Sequence, residues 1–62
     1  MGLTFKHNAE AGEWQASLDG YYHAVGFSKD DAVNRLGHFL RVEHPEVFAA
    51  RKTELDAHWK PV

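Results

Sequence analysis

Five histidines, at positions 7, 23, 38, 44 and 58, are the side chains of this 62-residue chain best suited to chemistry. A metal site on one helix needs ligands three or four residues apart, so that they stack on one face. His38 and His44 are six apart and do not. His7 and His23 can meet only across a sheet. There is no cysteine to join them and no His-Glu-x-x-His spacing. Asp30-Asp31 is the carboxylate pair that acid–base catalysis would use, and Ser28 is the nearest hydroxyl nucleophile. Both have a simpler reading. Ser28 stands before an apolar run at helical spacing and Asp31 follows three residues later, which is the arrangement of a capping box. The chain is therefore expected to carry no metal, no cofactor and no catalytic residue.

Two other groups suit binding. Arg35, His38, Arg41 and His44 fall late in the same helix, and Arg51-Lys52 follow. Cations there complement the negative end of the helix dipole, and they also make a small surface for an acidic partner. Tyr22, placed on the open face of a sheet, is suited to stacking or to anchoring a partner.

The elements that position these residues are legible from periodicity. Leu3, Phe5 and His7 alternate with Thr4, Lys6 and Asn8, and Trp14, Ala16 and Leu18 alternate with Glu13, Gln15 and Ser17. Each set reads as a half-buried strand. Asp19-Gly20 reads as a two-residue type I′ turn. That turn pairs Leu18 with Tyr21, Ser17 with Tyr22, Ala16 with His23 and Trp14 with Val25. It predicts a core face of Trp14, Ala16, Leu18, Tyr21, His23, Val25 and Phe27, and an open face carrying Gln15, Ser17, Tyr22 and Ala24. After the Ser28 cap, Ala32, Val33, Leu36 and Leu40 form one helical stripe with Phe39 at its flank. Gly37 in mid-helix predicts a close approach to a neighbouring backbone or to Trp14. Pro45 stops this helix and suits the first turn of another, whose stripe is Phe48, Leu55 and Trp59. The expected fold is α+β in a single domain of order β-β-β-α-α. A three-stranded antiparallel meander over 3–27 is packed by a helix over about 29–43, and a second helix follows over about 46–59.

The stretch "GFSKDDAVNRL" resembles the last strand and helix start of double-stranded-RNA-binding domains, through Gly26, Ser28, Lys29 and Ala32. Asp30 stands where that pattern has its second lysine. The wider stretch "EWQASLDGYYHAVGFSKDDAVNRLGHFL" is similar to the β-β-β-α core of HicB-like antitoxins, through Ser28, Asp30, Asp31 and Ala32. Both resemblances imply the fold. The second also implies an antitoxin-like subunit as an alternative function.

Composition narrows the function classes. The formal net charge of −2 is far from the basic excess that phosphate binding asks for, so nucleic acid is an alternative partner and not the favoured one. With no run of about 18 apolar residues and no signal-peptide segment at its start, the chain is expected in the cytoplasm. The expected function is a small protein-binding module, of the kind that phages and mobile elements use as regulators or inhibitors of host proteins. The side chains expected to meet the partner are Tyr22, Arg35, His38, Arg41, Val42, Phe48, Leu55 and Trp59. A domain this small has a thin core. Its second helix therefore docks either on its own first helix near Phe39 or on a second copy in a homodimer, and the thin core favours the second.

Overall fold

The computed structural model describes residues 2–57. Three strands, β1 (Leu3–Asn8), β2 (Glu13–Leu18) and β3 (Tyr22–Gly26), form one antiparallel sheet in the order β1-β2-β3. Three helices follow, α1 (Lys29–Glu43), α2 (Pro45–Ala50) and α3 (Lys52–Asp56). The α+β class and the meander agree with expectation. The second helix differs from it. Within the described residues the expected single helix from about 46 is two short ones, broken at Arg51, whose backbone leaves helical geometry (φ −115°, ψ 15°). Trp59 lies outside the described residues.

Helix α1 starts where the cap predicts. The Asp31 N–H donates to Ser28 Oγ at 3.0 Å, and Asp31 Oδ2 in turn accepts the Phe27 N–H at 2.9 Å. The return bond reaches one residue further back than in the usual capping box, tying the end of β3 to the first helical turn. That bond holds the Asp31 carboxyl below its usual 3.8; partial burial opposes the shift, and Arg35, donating at 3.2 Å, adds to it. At the other end, the His44 N–H donates to the Leu40 carbonyl, and the His44 carbonyl accepts from Val47 and Phe48. One residue thus closes α1 and opens α2, with Pro45 in the first turn of the latter.

The core is a single layer between sheet and helices. Ala16 and Leu18 of β2, Ala32, Val33, Leu36 and Leu40 of α1, and Leu55 of α3 are buried, with Leu3, Phe5, Trp14, Tyr22, Ala24, Val47 and Phe48 packed against them. Phe48 and Leu55 therefore dock within their own chain, against the Val33–Gly37 side of α1 and not near Phe39 as expected.

The register of β3 corrects the expectation. Asp19 and Gly20 do take positive φ, 55° and 68°, as a type I′ turn requires, and the Tyr21 N–H donates to the Leu18 carbonyl. Yet the ladder pairs Leu18 with Tyr22, Ser17 with His23, Ala16 with Ala24 and Trp14 with Gly26. Tyr21 is an extra residue, and two residues oppose Leu18 where one was expected, as in a β-bulge. A one-residue slip inverts both faces of a strand. Tyr22 and Ala24 consequently face the helices, while His23, Val25 and Phe27 are exposed.

The cause lies at Gly26. A Cβ on that residue would stand 2.5 Å from the Ala32 nitrogen and 2.8 Å from the Asp31 carbonyl carbon. Helix α1 can sit this low on the sheet only if Gly26 is the residue beneath it. That requirement turns the even-numbered residues of β3 toward the helix. Gly37 has no such role, since a Cβ there would meet only Phe48 Cε1 at an ordinary 3.8 Å. The expected approach to a backbone or to Trp14 does not occur. Trp14 is covered instead by His7, stacked at 4.5 Å, and by the Lys29 ammonium, 5.0 Å from its ring.

Candidate interaction groove

Helix α1 presents opposite flanks to two different surroundings. Val33, Gly37 and Arg41, spaced by four, point toward α2 and α3. Between them and the short helices runs a groove of about 470 Å³. Its apolar floor is Val33, Gly37, Phe48 and Leu55, and its rim is Asn34, His38, Arg41, Lys52 and Asp56. The floor exists because Gly37 has no side chain and because Phe48 is only half-buried by the core. Lys52 and Asp56 pair with one another along α3 at 3.7 Å. His38 and Arg41 make no side-chain hydrogen bond or ion pair among the described residues.

Of the residues expected to meet a partner, His38, Arg41, Phe48 and Leu55 come together here. Leu55 is buried and contributes floor rather than contact. Arg35 stands on the shoulder of α1 beside His38 and is held by Asp31. Tyr22 is elsewhere. It lies under the helices at the β3 edge, in a series of ring contacts from Tyr21 (4.8 Å) to Tyr22, to His44 (5.1 Å) and on to Phe39 (5.7 Å). The expectation that Tyr22 stands on the open sheet face is therefore wrong, for the register reason given above. Val42 is exposed on the flank of α1 away from the groove. Sequence reasoning missed the contribution of Gly37 and Asp56 to the groove; the mid-helix glycine, read there as a close approach, was the signal.

Arg51 leaves the basic cluster. Its guanidinium donates to Asp19 Oδ2 at 2.8 Å and to Glu54 Oε1 at 3.1 Å, while Glu54 Oε2 accepts the Leu3 N–H at 3.1 Å. These bonds fasten the β2–β3 turn and the start of β1 to α3. The histidines among the described residues are dispersed. His7 stacks on Trp14 on the helix-covered face, and His23 shares a 2.7 Å hydrogen bond with Ser17 on the open face. Among the described residues no group of three or more His, Cys, Asp or Glu is placed to hold a metal ion. None of the described helices is long and apolar enough to cross a membrane.

No family model, curated protein or solved structure matches this chain.

Proposed function

We propose that the chain is a non-enzymatic, cytoplasmic protein-binding module whose groove between α1 and the two short helices receives an acidic, amphipathic segment of its partner. The observation that carries this reading is an apolar floor bordered by two basic side chains, His38 and Arg41, without partners among the described residues. A large apolar side chain of the partner enters over Gly37, and a carboxylate beside it meets Arg41. Full burial of one such side chain contributes roughly 1.5–3 kcal/mol. The rim charges select the partner and speed the encounter. Small size and absence of cysteine fit a regulator or inhibitor of a host protein carried by a phage or mobile element.

The test is affinity capture from host lysate, with and without nuclease, beside the Arg41→Glu variant. The reading expects a captured protein that survives nuclease and is lost with Arg41→Glu while the melting temperature is unchanged. Capture that vanishes with nuclease, and weakens steeply between about 50 and 200 mM salt, assigns the basic rim to phosphates instead.

A further inference from the structure

The exposed large hydrophobic side chains are not scattered. Tyr21, Val25 and Phe27, at 74%, 46% and 78% exposure, lie on or beside β3; Phe39 and Val42, at 41% and 61%, lie on α1. β3 is an edge strand, with β2 on one side and no strand on the other among the described residues. Position 39 is two residues on from the groove residue Gly37, which is about 200° around a helix. The flank bearing Arg35, Phe39, Val42 and Glu43 therefore faces away from α2 and α3. Those short helices are tied to the start of β1 through Glu54 and Leu3, so the flank overlooks the outer edge of β3. The ring contacts from Phe39 through His44 to Tyr22 place it there independently. All five exposed side chains thus border one edge of the molecule. Scattered apolar residues are ordinary on a monomer, whereas a contiguous patch marks an interface.

We propose that this edge is covered by a second copy of the chain, with β3 pairing antiparallel to β3 about a two-fold axis at Ala24, to make a continuous six-stranded sheet. The patch is self-complementary in that register, as an isologous contact must be. Ala24 meets Ala24 of the second copy. Tyr22 falls opposite Gly26, which has no side chain to obstruct the ring. On the open face His23 falls opposite Val25, and the flanking Tyr21 opposite Phe27, so exposed apolar groups cover one another. Charge agrees on the helix side. α1 runs antiparallel to β3, with His44 beside Tyr22 and Asp31 beside Gly26. The level of Ala24 is therefore that of Gly37 and His38, within one turn of Phe39. A two-fold axis there brings Phe39 within one helical turn of its symmetry mate and Arg35 within one turn of Glu43 of the second copy, a span that long side chains cover. Pairing also removes an open sheet edge, otherwise a template for aggregation. The groove lies on the opposite flank of α1, so this contact and the binding of a groove partner are separate.

The native chain has no cysteine, which permits a test specific to the register. Sedimentation of the full chain over a micromolar concentration series should approach twice the 7.1 kDa chain mass. The double variant Phe39→Asp/Val42→Asp should stay monomeric with an unchanged far-ultraviolet spectrum, because both side chains are exposed. Single variants His23→Cys and Val25→Cys, mixed under mild oxidation, should cross-link to one another several-fold more than either does to itself. A strict monomer at every concentration overturns the proposal. So does a dimer that survives the double aspartate variant, or one that gives no excess of the mixed cross-link.

Discussion

The two glycines buried beneath and within α1 have opposite physical meanings. At Gly26 an added methyl collides with backbone, which cannot swing aside. Gly26→Ala is expected to lose more than about 2 kcal/mol by forcing helix and sheet apart. At Gly37 the methyl meets one ring carbon at contact distance, and the helix gains the propensity of alanine. Gly37→Ala is expected to gain roughly 0.5–1 kcal/mol, seen as a melting temperature several degrees higher. Asp31 gives a prediction in pH. Its folded pKa is lowered by the Phe27 N–H and by Arg35, against partial burial. The stabilisation is therefore fully present above the unfolded value near 3.8 and disappears as pH falls through the folded value. In acid unfolding followed by circular dichroism, Asp31→Asn should lose this share of the acid limb and be less stable than the native chain at neutral pH.

At the scale of elements, the β2–β3 turn is held from outside. Asp19 meets Arg51 across 32 positions of sequence, so a turn that reads as local depends on α3. A double-mutant cycle on Asp19→Asn and Arg51→Met, followed by chemical denaturation, should return a coupling of about 0.5–1 kcal/mol, as for a partly exposed pair. Zero coupling would mean that the turn stands alone. The elements themselves were legible, because period-two alternation, the Ser28–Asp31 box and Pro45 each act locally. The register of β3 was not. Asp19-Gly20 argued for a two-residue hairpin, while Gly26 answered to a contact with α1 that only the folded chain makes. The groove was half legible. His38, Arg41, Phe48 and Leu55 were named from charge and stripe, but that they share one groove follows from the packing of α1 on the short helices. Tyr22 was misplaced by the same slip that moved the strand.

Across the whole molecule, stability is expected to be uneven. Among the described residues, β2 and α1 hold all but one of the buried apolar side chains, while α2 has no buried residue. Amide hydrogen exchange should accordingly be slowest in β2 and α1, around Leu18, Leu36 and Leu40, and fastest among the helical segments in α2. Equal protection throughout would indicate a single cooperative unit. The lower stability of α2 also suits a wall of the proposed groove, since an incoming side chain needs Phe48 to adjust.

The stacking of His7 on Trp14 makes the free end of the sheet optically readable. An aromatic ring stacked on an indole changes the surroundings from which the indole emits. The chain has two tryptophans, so Trp59→Phe leaves Trp14 as the single emitter. Its fluorescence should then change in a His7→Gln background, where the stacked ring is gone. An intensity that ignores His7 would show that the two rings part in solution. One residue pair, far from the groove, thus supplies a built-in probe by which the folded state of this chain can be followed without a label.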